Sequence, residues 1–385
     1  LRFCIAATAC AALAGCTPAP PKPDVAKVSR FSGHAYVSDE HYGVTTAMSN
    51  WTLGATSYEI ALTVPDKRGR YPLVIYLPGL GEARDAGSTW RSTWTQAGYA
   101  VLSVQPLADD ATGWSAPKAR TGDFAALARV RYSGKIMSAR IDSLQAVWRE
   151  LAQRQAIGEA PLERIDLSRV AIAGFDLGAF TAMTIAGETM RDLPKLEIGM
   201  PVAAVIALSP YADFSGPTFT DRYRSIKGPV LSVTTDGDAD AIGMVTAPSV
   251  RKAPFQYMPA GDKFLMLLWS VPHVILGGSA NAESPAANGT AKADAGSRPG
   301  QGVIADTGVR PKKKTPDQEA SETDRAVALG TTVASATANA IGTAAIAGVT
   351  TAFLDAYVKN DVVAQEWLEK DAPRWLRDKG EFVKK

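Results

Sequence analysis

Cysteine is almost missing from this chain. Its three cysteines, Cys4, Cys10 and Cys16, all precede residue 17. The body of the protein therefore has no thiol for a disulfide, a cysteine-ligated metal or a thiolate nucleophile. Histidine is scarce as well, with only His34, His41 and His273. Together these shortages speak against a metal centre, and no motif asks for a cofactor. Charge of one sign is lacking: +2 over 385 residues gives no field that would draw the chain to nucleic acid. Charged residues make up 21% against 46% hydrophobic, the balance of a globular protein that can bury a core. Long uninterrupted apolar runs are missing too. Phe3 to Ala14 is too short to cross a bilayer. Ala326 to Ala352 is interrupted throughout by Thr, Ser and Asn, and reads as a packed helix pair rather than a membrane span.

The first residues read as an export signal: Arg2, a short apolar run, then Leu13-Ala14-Gly15-Cys16. That tetrapeptide matches a lipobox, with residues 1–15 removed and Cys16 lipidated as the new N-terminus; a plain cleaved signal peptide is the other reading. Pro-rich residues 16–30 follow as a stiff, extended tether. The expected location is the bacterial cell envelope, with the membrane reached through the N-terminal lipid.

From residue 31 strands and helices alternate. Ser57 to Val64 alternates like a half-exposed strand. Tyr71 to Leu77, Tyr99 to Val104, Arg169 to Ala173, Val202 to Leu208, Pro229 to Thr234 and Phe264 to Trp269 are short apolar runs. Ile136, Ile141, Leu144, Val147 and Leu151 share one helical face. The pattern predicts an α/β fold with a mainly parallel central sheet covered by helices on both faces. Residues 279–323 are rich in Ala, Gly, Pro, Ser and Lys and are expected to be a disordered insertion. The core would thus cover 31–278, completed by C-terminal helices over 324–385.

The most informative stretch is Gly174-Phe175-Asp176-Leu177-Gly178. It lies between an apolar strand and a small-residue helix start, the context of a Gly-x-nucleophile-x-Gly elbow. A serine normally occupies the centre; here it is Asp176.

These elements together resemble an α/β-hydrolase, most nearly the dienelactone hydrolase and platelet-activating-factor acetylhydrolase-like esterases. Five stretches carry the likeness. They are Leu73 to Arg84 (Leu-Val-Ile-Tyr-Leu-Pro-Gly-Leu-Gly-Glu-Ala-Arg), the elbow within Asp166 to Met183, Gly228 to Gly243, Gly261 to Gly278, and Thr351 to Tyr357. They cover about residues 55–278 and 345–376. The resemblance implies a chain order of nucleophile, acid, histidine. Asp176 takes the first place. Asp238 is the favoured acid among Asp236, Asp238 and Asp240, with Asp240 the runner-up. His273, after the last expected strand, is the base; His34 and His41 precede the core and are expected to be exposed. Backbone N–H groups of Leu80 and Leu177 would form the oxyanion hole, with Pro78 where a histidine usually stands. The implied substrate is a small ester or lipid-like molecule.

A carboxylate in the elbow changes the chemistry. It can attack an sp³ carbon to give an alkyl ester, which His273 would hydrolyse through water. Haloalkane dehalogenases and epoxide hydrolases have elbows resembling this Asp-x-Gly. The former carry Trp where Leu177 stands, and the latter His-Gly-x-Pro where Pro78-Gly79-Leu80-Gly81 stands. Asp176 could instead act as a general base. It could also mark a site that has lost turnover and binds a ligand or partner at the envelope.

Overall fold

In the computed structural model, residues 21–194, 196–214, 216–239, 243, 245, 247–279 and 320–385 are described, with side chains from 332 in the last stretch. The signal segment and Cys16 lie outside the described residues, as does most of the expected insertion, 280–319.

The described strands are β1 (Val44–Leu53), β2 (Thr56–Pro65), β3 (Tyr71–Leu77), β4 (Ala100–Val104), β5 (Ile165–Phe175), β6 (Val202–Leu208), β7 (Val230–Gly237), β8 (Lys263–Pro272) and β9 (Gly380–Lys384). They form one sheet in the order β1-β2-β4-β3-β5-β6-β7-β8-β9. The six strands from β4 to β8 along that order run parallel. At one edge β1 pairs antiparallel with β2, and β2 with β4; at the other β9 pairs antiparallel with β8. The expected parallel sheet therefore holds for the centre, while both edges make the whole sheet mixed.

The apolar runs have a physical cause. Along β3, Leu73, Ile75 and Leu77 enter one core, and Val74 and Tyr76 enter the other. A strand covered on both faces has no polar side to show. The main helices are α1 (Val25–Ser32), α2 (Ser88–Gln96), α3 (Phe124–Arg131), α4 (Gly134–Ala156), α5 (Leu177–Ala186), α6 (His273–Gly277), α7 (Ala320–Val358) and α8 (Val362–Lys370). Helix α4 starts at Ser133, whose hydroxyl caps Ile136 N–H, and buries Met137, Ile141, Leu144, Val147 and Leu151 in the first core. Leu144→Ala alone would cost about 2–5 kcal/mol. Trp90 and Trp94 of α2 join α7 and α8 in the second core.

Two sequence expectations are corrected. Residues 25–30 are not an extended tether: they belong to α1, whose N-cap Asp24 accepts Lys27 N–H. This helix is docked, with Phe31 stacked on Trp375 at 4.5 Å and Asp24 N–H donating to Thr337 Oγ1 at 2.8 Å. The expected helix pair after 324 is one helix, α7. Thr337, Thr343 and Thr350 hide their hydroxyls by donating one turn back, as Thr350 does to Ile346 O at 2.7 Å. Its Gly342 marks close packing rather than a break, because a Cβ there would lie 2.8 Å from a Val271 methyl. Thr332–Val358 is long and apolar enough to cross a membrane, yet 78% of its most apolar window is buried within the fold.

Candidate active site

The parallel strands deliver the candidate residues to one edge of the sheet, outside their carboxyl ends, where ligands bind in open α/β sheets. Asp176 follows β5 and precedes α5. Its backbone is at φ 48°, ψ −108°, a conformation that costs energy for a non-glycine residue and marks functional turns. The flanking glycines are required by contact. A Cβ on Gly174 would sit 2.2 Å from Gly178 C, and one on Gly178 would sit 1.9 Å from Leu77 O. The turn is thus pressed against the end of β3, and nothing larger than glycine fits at either side.

Asp176 is 8% exposed. Its Oδ2 accepts the Tyr132 hydroxyl at 2.9 Å, and its N–H donates to Leu208 O at 3.0 Å. Tyr132 packs on Tyr211 at 4.6 Å and on Phe180 of α5 at 5.7 Å between ring centroids. These three rings also wall a cavity of about 190 Å³, with Met190, Asp213 and Arg222 in its lining. Arg222 is held there by Glu188 at 2.6 Å and Asp213 at 2.7 Å.

Asp238 and His273 come together as expected. His273 Nδ1 stands 2.6 Å from Asp238 Oδ1. An ionised carboxylate only accepts, so Nδ1 carries the proton and the Nε2 lone pair is left available. No described residue hydrogen-bonds that Nε2. Asp238 is fully buried and receives Thr234 Oγ1 at 2.6 Å and Ser209 Oγ at 2.8 Å. Arg251 Nε is 3.1 Å from its Oδ1. Burial pushes the Asp238 carboxyl up. The Arg251 charge, together with the His273 and Thr234 hydrogen bonds, outweighs burial and holds it below the ordinary aspartate range.

Ser209, His273 and Asp238 are mutually within hydrogen-bond reach, Ser209 Oγ lying 3.2 Å from His273 Nδ1. They are not a nucleophilic serine triad. Ser209 is fully buried and faces the acid side of the imidazole, so it orients the pair. Its φ of 58° repeats at the end of β6 the strain seen at Asp176.

No direct hydrogen bond or ion pair joins Asp176 to His273. They are neighbours through Phe175, whose ring lies 4.9 Å from the imidazole. The Leu80 and Leu177 amides flank the same turn, one after the end of β3 and one at the start of α5. Neither amide is taken by a protein acceptor among the described residues. Asp236 is exposed and its carboxylate accepts Ser270 N–H at 2.9 Å, a structural role. Asp240 lies outside the described residues, and His34 and His41 are exposed.

Sequence reasoning missed Tyr132, Ser209, Thr234, Arg251 and Glu82. Ser209 had a usable signal, since it ends the strand beside β5. Tyr132, the C-cap of α3, and Arg251, in the short 3-10 helix Pro248–Lys252, gave none. The described residues hold no cluster of metal-ligating side chains. Compared with known proteins, this chain matches no protein-family model and no curated protein.

Proposed function

We propose that this chain is an envelope-anchored hydrolase with the α/β-hydrolase fold, using Asp176, Asp238 and His273 on a small ester-like or lipid-like substrate. The observation that carries this reading is the His273–Asp238 pair at 2.6 Å, set beside the strained turn that presents Asp176. In this scheme the Asp176 carboxylate attacks a substrate carbon bearing a leaving group, which departs with the bonding electrons. The result is an alkyl ester on Asp176. His273 Nε2 then takes a proton from water as the water adds to that ester carbonyl. The Leu80 and Leu177 amides receive the oxyanion. Collapse breaks the bond to the alkoxide, which takes the proton back from His273 and leaves as the alcohol; the acid left on Asp176 gives its proton to solvent and the carboxylate is restored. Asp238 holds the imidazole in the required tautomer and steadies its charge. The aromatic cavity beside Tyr132 suits the apolar part of the substrate. Lipidation at Cys16 would hold the enzyme at the envelope membrane.

The test is a panel of haloalkanes, epoxides and short-chain esters with the native protein and His273→Ala. The variant should stop turnover and accumulate a mass adduct on the Asp176 peptide. Unchanged turnover in His273→Ala would sink the reading. A second reading is favoured by one observation: Asp176 bonds Tyr132 and makes no direct bond to His273. It makes the chain a non-catalytic binding protein for a ligand or partner. It predicts thermal stabilisation by panel compounds with no product formed.

A further inference from the structure

Glu82 has no part in the scheme above, yet it stands inside the site. It follows Gly79-Leu80-Gly81 in the loop after β3. Its Oε2 accepts Gly79 N–H at 2.8 Å and its Oε1 accepts the Ser279 hydroxyl at 3.2 Å. Ser279 lies just beyond α6, which begins with His273, and its Oγ accepts Gly87 N–H at 2.9 Å. One carboxylate therefore ties the Leu80 turn to the segment that carries His273. The backbone of the same loop is clamped separately, Gln105 donating to Gly79 O at 3.0 Å and to Glu82 O at 3.1 Å. A Cβ on Gly79 would lie 2.9 Å from the Phe175 ring and 3.2 Å from Glu82 Oε2. Since Phe175 also packs on His273, the carboxylate and the imidazole flank the residue just before Asp176.

The charged and titratable groups that face Glu82 come from three elements. Asp176 opposes its ionisation from the turn after β5, and His273 favours it from α6. Tyr76 of β3 feels its charge and is fixed by donating to Gly277 O at 3.1 Å. Burial is the largest influence, and with Asp176 it outweighs the bonds from Gly79 and Ser279. The Glu82 carboxyl is pushed up to about 6.

We propose that Glu82 is a positioning residue whose ionised carboxylate holds the Gly79-Leu80 turn against the elbow, so that the Leu80 amide meets that of Leu177 only once Glu82 has lost its proton. Protonation replaces a charge-assisted acceptor by a weaker one and loosens the turn. The inference rests on the hydrolase reading for its consequence in catalysis, but not for its geometry.

Two readouts test it. Labelling with carbonyl-¹³C proline and ¹⁵N glycine isolates Gly79 and Gly300, the two glycines that follow a proline. In the full chain the Gly79 amide resonance should titrate with a midpoint at about 6. The titration should vanish in Glu82→Gln, and its midpoint should fall in Asp176→Asn. A Gly79 resonance that stays fixed across this range, or titrates identically in Glu82→Gln, overturns the proposal. The second readout is rate on any panel substrate that turns over. Glu82→Ala should lower kcat on the order of tenfold to a hundredfold with little change in KM. Glu82→Gln, whose amide oxygen can still accept from Gly79, should recover most of kcat and lose the part of the acidic limb of the pH profile that Glu82 supplies. An unaltered acidic limb in Glu82→Gln overturns the proposal. Gly79 titrating through Glu82 in a protein that turns nothing over supports this inference and defeats the hydrolase reading, so the two fail separately.

Discussion

Replacing Asp238 with Asn removes one negative charge and almost no volume, at a place where water cannot compensate. Asp238 and Arg251 are both fully buried, and the Arg251 Nε to Asp238 Oδ1 distance is 3.1 Å. Breaking a buried pair by removing one partner costs about 3–5 kcal/mol. Arg251 keeps its hydrogen bonds to the backbone carbonyls of Asp238, Ser209 and Pro210, which places the loss toward the lower end, about 3 kcal/mol. At about 2–4 °C per kcal/mol, the expected fall in Tm is about 6–12 °C. Thermal melts followed by circular dichroism measure it directly. In the double variant Asp238→Asn, Arg251→Met both members of the pair are removed together, so the loss should be well below the sum of the two single losses. The pH dependence has a fixed sign. The folded-state Asp238 carboxyl lies below its ordinary value of 3.8, so its contribution is fully present above that value. It is lost as pH falls through the lower folded value, and there the gap between native and variant should close. A variant melting within a degree or so of the native protein, or strictly additive losses, would refute the claim that this charge pair supports the site.

Tyr132→Phe deletes one hydrogen bond to Asp176 and keeps the ring stack; it should cost about 1 kcal/mol by urea unfolding, while Tyr132→Ala should cost about 3–5 kcal/mol by losing the packing. Gly178→Ala should fail to give soluble folded protein, because its Cβ would meet Leu77 O at 1.9 Å; Gly228→Ala, with nothing within 4 Å, is the control. Trp375→Ala removes the Phe31 stack and the 2.9 Å bond from its indole to Phe31 O; limited proteolysis should then cut within or next to α1, and an unchanged cleavage pattern would contradict the docking of that helix. Cys16→Ser should release the protein from membranes, and continued membrane retention would count against the lipid anchor.

What could be read from the sequence was whatever depends on local pattern. The runs in β3 to β8 announced strands buried on both faces, and Gly174-Phe175-Asp176-Leu177-Gly178 announced its own turn. Asp238 and His273 were placed at strand ends by the chain order that the resemblance implies, and their side chains meet. What could not be read depends on partners distant in the chain. Strand β1 is nearly all exposed apart from Trp51, so it lacks the apolar alternation that signals a strand; its evidence is a hairpin turn at Gly54, φ 61°. Strand β9 spans only Gly380–Lys384 and takes its register from β8. Residues 25–30 look like a continuation of the proline-rich stretch until Trp375, far along the chain, gives Phe31 something to stack on. Glu82 stands in the quoted loop as an ordinary surface residue, and only burial beside Phe175 turns it into a group that the site must hold.

The central claim is that the turn at Asp176, the Leu80 and Leu177 amides and His273 form a working hydrolytic machine. It is tested most directly by hydrolysis of p-nitrophenyl acetate by the chain from Pro21, which retains the α1 cap Asp24, with Asp176→Ser and Asp176→Ser, His273→Ala beside the native protein. The account predicts that Asp176→Ser hydrolyses the ester and that the second substitution abolishes the rate. An Asp176→Ser variant no faster than its His273→Ala partner would contradict it.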